Sequence, residues 1–86
     1  MIYPSIREKR ILMFIYRYRG EHGWAPSMRE MLTVTTQRSV SVAHDAVHQL
    51  ERYGLIELGG GPRQIRITAV GLAYVEEMLE EEPGAW

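Results

Sequence analysis

The sequence predicts a mainly α fold with one small β-hairpin, in the order helix, short helix, helix, hairpin, helix. Three observations carry this. A serine followed three residues later by glutamate occurs at Ser5/Glu8 and again at Ser27/Glu30. Each pair marks a helix start, because hydroxyl and carboxylate satisfy reciprocal backbone N–H donors there. Apolar residues recur at helical spacing in three longer stretches. Before the last of these, two short apolar runs flank Gly59-Gly60-Gly61-Pro62, a composition suited to a tight connection between strands.

The first helix is expected over about residues 6–22, with Ile11, Phe14, Ile15 and Tyr18 forming one buried stripe and Arg10 and Arg17 on the opposite side. Gly23 stops it, and Pro26 prevents its continuation. The second helix follows Ser27, turns Met31 and Leu32 toward the core and ends after about two turns at Thr33-Val34-Thr35-Thr36, where β-branched side chains and hydroxyls favour a turn. Ser39 is placed to cap the third helix, which buries Ala43, Val47 and Leu50 and stops at Gly54. Residues 55–58 and 63–68 read as the paired strands, with Ile65 and Ile67 on one face. Thr68 then caps a last helix whose apolar stripe is Leu72, Val75, Met78 and Leu79, ended by Pro83-Gly84.

Eighty-six residues with 45% hydrophobic content are enough for one modest core, so a single compact unit is expected: residues 1–68 as its body and 69–86 as a C-terminal helix and acidic tail suited to dimerisation. There is no cysteine, which removes disulfides and thiolate metal sites and suits a reducing compartment. The longest apolar run, residues 11–16, is far below the ~20 residues of a membrane span, and no leader pattern precedes it. A soluble, cytoplasmic, unprocessed protein is expected. The net charge of −1 conceals an asymmetry: all ten basic residues precede Thr68 against six acids, while the five acids beyond it face no base. A basic body with an acidic tail suggests a polyanionic partner.

Helix, helix, turn, helix and hairpin in this order make a winged helix-turn-helix with one additional C-terminal helix. Its third helix suits double-stranded DNA because an α-helix ~10–12 Å across fits a major groove ~12 Å wide, leaving the hairpin to lie on the backbone. On that face Ser41 can donate or accept, His44 can donate to guanine, Asp45 can accept from cytosine and Val42 can meet a thymine methyl; His48 completes the base-reading candidates. Candidates for phosphate are Ser27, Gln37, Arg38, Ser39, Arg52, Arg63, Gln64 and Arg66.

Several stretches resemble the amino-terminal DNA-binding domain of the LexA repressor family: Ser5-Ile6-Arg7, the run Gly23-Trp24-Ala25-Pro26-Ser27-Met28-Arg29-Glu30, Arg38-Ser39, Tyr53-Gly54-Leu55-Ile56-Glu57 and Gln64-Ile65-Arg66-Ile67. The resemblance implies operator binding by a dimer, with Ser39, Ser41, Val42, His44 and Asp45 as the reading set by position. Thr35-Thr36 stand where the family has leucine-glycine in its turn. On the groove face, Ser41, Val42, His44 and Asp45 replace the family's asparagine, small residue and paired acids, so a different target sequence is expected. The family's second, self-cleaving domain has no counterpart in these residues, and no self-cleavage is expected of this chain.

No enzymatic chemistry is expected. His44 and His48 share a helix face with Asp45 beside the first, as in a zinc-peptidase helix. Aspartate replaces the required glutamate there, and the remaining histidine, His22, ends another helix. The three glycines lack a following lysine-serine pair and open no helix, so they make no nucleotide cradle. No metal or cofactor is expected. Partners are double-stranded DNA and a second copy of the chain, with no membrane. The reading from a different class is a protein-binding winged helix that docks a partner through its acidic C-terminal helix and an exposed Trp86.

Overall fold

In the computed structural model, which describes residues 4–35, 39–61, 64–84 and 86, the first helix (α1, Ile6–His22) runs through the middle of the molecule. Its start is the expected reciprocal cap: the Glu8 N–H donates to Ser5 Oγ at 3.2 Å and the Ser5 N–H to Glu8 Oε1 at 2.9 Å. Ile11, Leu12, Met13 and Ile15 are all buried, while Phe14 and Tyr18 of the expected stripe are half-buried. The buried surface is therefore wider than a single stripe, as suits a helix packed by neighbours on more than one side. Gly23 ends α1 in the left-handed region at φ 82°, its N–H donating to the Arg19 carbonyl.

The second helix (α2, Met28–Met31) carries the same cap, with the Ser27 N–H donating to Glu30 Oε1 at 2.8 Å and the Glu30 N–H to Ser27 Oγ at 3.2 Å. The other Glu30 oxygen accepts from the Tyr18 hydroxyl at 2.7 Å, tying α2 to α1. The helix then tightens into a 3-10 turn at Leu32–Val34, where the Thr33 and Thr35 hydroxyls donate to the carbonyls of Glu30 and Leu32. Such hydroxyl back-bonding competes with the regular α ladder and closes the element at the expected two turns.

The third helix (α3, Val40–Arg52) is capped by Ser39, whose hydroxyl accepts from the Ser41 N–H at 3.3 Å, and it buries Ala43, Ala46, Val47 and Leu50. After Tyr53, Gly54 turns the chain at φ 79° and Leu55 donates back to the Leu50 carbonyl. The hairpin pairs β1 (Ile56–Leu58) with β2 (Ile65–Ile67) antiparallel, in the register Ile56 to Ile67, Glu57 to Arg66 and Leu58 to Ile65. Strand alternation turns the isoleucines and Leu58 inward and Glu57 and Arg66 outward.

Thr68 joins hairpin to last helix. Its N–H donates to the Leu55 carbonyl at 3.0 Å, its hydroxyl donates to the Gly54 carbonyl at 2.6 Å, and the same oxygen accepts from the Gly71 N–H, starting α4 (Ala69–Glu81). The buried set on α4 is Gly71, Val75 and Met78, so the stripe expected from Leu72 is corrected: Leu72 is 41% exposed and Gly71 takes the inward position. A methyl group at residue 71 would overlap the Leu55 carbonyl and approach Ile67 Cγ2 to 2.8 Å, so only glycine lets the helix lie this close to the hairpin.

Trp86, expected at the surface, is instead half-buried. It lies against Met13 and Phe14 of α1 and Val34 at the end of the second helix, with Arg10 and Arg17 beside it. The core is completed by Met31, Val47, Leu50, Ile56 and Val75 around Ile11, Leu12 and Ile15. The radius of gyration, 11.9 Å, equals the ~12 Å expected of one compact domain of this length. The chain is thus mainly helical with a two-stranded wing, a winged helix-turn-helix followed by a packed C-terminal helix. Among the described residues no helix is long and apolar enough to cross a membrane.

Candidate nucleic-acid interface

On α3 the residues opposite the buried stripe are Ser41, Asp45, His48 and Arg52, spaced i, i+4, i+7 and i+11, and all are exposed. His44 stands at the edge of this face toward the hairpin. The His44 and His48 rings are nearly parallel, at 18°, with centroids 6.1 Å apart. His48 Nδ1 lies 3.9 Å from Glu51 Oε1 one turn on. Val42 and Val40 are both half-buried, so neither turns fully into the core. The face thus presents hydroxyl, imidazole, carboxylate and guanidinium groups in one row on a rigid, well-packed helix.

The amino end of α3 adds two hydroxyls, Ser39 Oγ and Ser41 Oγ, 2.7 Å apart, at the positive end of the helix dipole. At the other end Arg52 Nη1 donates to Gln49 Oε1 at 3.4 Å, and Gln49 Nε2 donates to the Tyr53 hydroxyl. This chain of contacts holds the guanidinium along the helix rather than toward the core.

Between α3 and the hairpin lies a cleft of about 560 Å³. His44, His48 and Val40 form one wall; Leu58, Gly59, Gly60, Gly61 and Gln64 form the other; Ser27, Met28 and Arg29 close the end. Three sequence-derived candidates, His44, His48 and Gln64, therefore share one concavity with a fourth, Ser27. Arg29 joins them although sequence reasoning missed it. Its position in a four-residue helix carries no periodic signal, and only the packing of α2 against α3 brings it to the cleft.

Arg66 is placed differently. It projects from the other side of the hairpin and lines two depressions there together with Arg19, whose Nη1 donates to the Ile65 carbonyl at 2.9 Å. Gln37, Arg38 and Arg63 lie outside the described residues. Among the described residues no group of three histidine, aspartate or glutamate side chains could hold a metal ion, so His44 and His48 stand as a pair.

A family model of the LexA DNA binding domain matches residues 4–64, from the cap of α1 through the hairpin turn. The chain is similar to the LexA repressor of Ligilactobacillus salivarius (strain UCC118), 36% identical over 78 residues, which cover 90% of this chain and 36% of that protein. It is similar also to the LexA repressor of Oenococcus oeni (strain ATCC BAA-331 / PSU-1), 38% identical over 75 residues, 86% of this chain and 34% of that protein. The chain thus spans about a third of the length of these curated relatives. With a capped, outward-facing third helix beside a glycine-tipped hairpin and a family match over most of its length, the chain belongs to the LexA DNA-binding domain family.

Proposed function

We propose that this protein represses transcription by binding double-stranded DNA in a sequence-specific way, with α3 in the major groove and the hairpin against the sugar-phosphate backbone. The observation that carries the reading is the row of exposed polar side chains on α3, Ser41, His44, Asp45 and His48, on a helix whose opposite face is buried. Exposed polar groups on a rigid helix are what direct base reading requires. The repressor role rests on the LexA repressors to which the chain is similar.

In this reading His44 and His48 donate to purine acceptors, Asp45 accepts from a cytosine amino group, Ser41 serves either way and Val42 offers methyl contact. Ser27, Ser39, Arg52 and Gln64 hold phosphates, joined by Arg29 at the end of the cleft; Gln37, Arg38 and Arg63, outside the described residues, are the remaining phosphate candidates. Phosphate contacts set register and affinity; the α3 side chains supply discrimination. The partial positive charge at the amino end of α3 adds to the pull on phosphate near Ser39.

Selection from randomised duplexes by mobility shift tests this. The expected result is one enriched sequence, against which His44→Ala with Asp45→Ala loses about tenfold or more in affinity, the scale of a bidentate base contact. Absence of retained duplex even at low salt overturns the proposal.

A further inference from the structure

His44 and His48 are four residues apart in the middle of α3, whose other face, Ala43, Ala46, Val47 and Leu50, is packed into the core and fixes the backbone. Side chains so spaced leave a helix on the same side, with Cβ atoms about 5–6 Å apart. Both histidines are exposed, and their rings lie nearly parallel, at 18°, with centroids 6.1 Å apart. Among the described residues neither imidazole has a hydrogen-bond partner. Glu51 Oε1 stands 3.9 Å from His48 Nδ1, and a proton on Nδ1 facing that carboxylate leaves the Nε2 lone pair of His48 free.

Two imidazoles held on one side of a rigid helix are a chelating pair. A tetrahedral zinc ion with each nitrogen at about 2.0–2.1 Å sets the ring centroids roughly 5 Å apart, so about an ångström of closure seats it. Exposed side chains make such movements readily. Across the cleft of about 560 Å³ stand Gly59, Gly60, Gly61 and Gln64, which leave room for water on the ion. Asp45 and Glu51 place two carboxylates on the exposed part of the same helix, against one guanidinium, Arg29, among the described residues that line the cleft.

We propose that His44 and His48 form a two-histidine site for a hydrated first-row metal ion, Zn2+ or Cu2+, and that the occupied site blocks base reading by α3. Imidazole nitrogen selects these ions over Mg2+ and Ca2+, which take oxygen, and Cu2+ is the tighter of the two. With two protein ligands and water on the remaining positions, the ion exchanges with solution and is no structural centre. The blocking rests on the proposed function: the nitrogens that coordinate are those that meet purines, and a hydrated ion between them stands where a base edge comes. Binding of the ion does not depend on that reading.

Titration calorimetry of the EDTA-treated full chain with Zn2+ tests the site. One ion per chain is expected, weakened about tenfold or more by either His44→Ala or His48→Ala and unchanged by His22→Ala, while Mg2+ does not bind. In NMR spectra, trace Cu2+ broadens the ring signals of His44 and His48 before those of His22. Saturating Zn2+ raises the urea midpoint of the unaltered protein but not of His48→Ala, because the unfolded chain does not hold the pair at this spacing. Zn2+ affinity that survives loss of both histidines, or equal broadening of all three, overturns the site. A second arm adds Zn2+ and then EDTA to the protein on its selected duplex. Retention is expected to fall about tenfold and recover, while whatever binding His48→Ala keeps does not respond. Unchanged or tighter duplex binding at saturating Zn2+ overturns the blocking. No duplex binding even with EDTA contradicts the proposed function instead, and the calorimetry alone then decides the site.

Discussion

Residue by residue, the helix starts were the most legible part of this protein. Ser5/Glu8 and Ser27/Glu30 act within three residues of each other, so spacing alone specifies the contact, and both reciprocal caps form. Gly71 shows the opposite case. Its stripe, residues 71, 75 and 78, and the one read from Leu72 both satisfy helical spacing, and a glycine contributes no apolar signal to decide between them. Its importance comes from the Leu55 carbonyl, which is distant in sequence. Gly71→Ala is therefore expected to destabilise the fold by about 3 kcal/mol, at the upper end of overpacking costs because backbone rather than a flexible side chain must yield. Urea denaturation followed by circular dichroism measures this, and an unchanged midpoint would mean that α4 slides freely on the hairpin.

The elements themselves followed from periodicity where they were long and from chemistry where they were short. α3 was legible on both faces, because Ala43, Val47 and Leu50 mark the packed side, which Ala46 widens, and the opposite side carries Ser41, Asp45, His48 and Arg52. Leu50→Ala is expected to cost about 2–5 kcal/mol of stability, whereas His48→Ala, on the exposed side, changes it by no more than about 0.5 kcal/mol. Measuring both by the same denaturation, and both for duplex retention, separates the packing face from the reading face. The hairpin was legible as alternation, but its orientation was not. Arg66 had to point away from Ile65 and Ile67, yet whether that meant toward the α3 cleft depended on how the hairpin packs on α1. Arg29 and Trp86 escaped for the same reason: both are positioned by contacts between elements, and neither contact leaves a local pattern.

At the scale of the whole molecule, a net charge of −1 hides two surfaces of opposite sign. Among the described residues, Arg29 lines the α3 cleft and Arg19 and Arg66 line depressions beside the hairpin, while acids concentrate on α4 and the tail that follows it. If α3 reads bases and the cleft arginine holds backbone, the two contributions respond differently to salt and to sequence. The decisive measurement follows duplex binding by fluorescence anisotropy across a salt series, with the selected sequence and a scrambled one, for the unaltered protein, Arg29→Ala, and His44→Ala with Asp45→Ala. Arg29→Ala should weaken both duplexes alike and reduce the salt slope by about one phosphate contact. The α3 variant should keep the slope and lose the difference between the two duplexes. If it weakens both alike while discrimination survives, base reading lies elsewhere than on the outer face of α3.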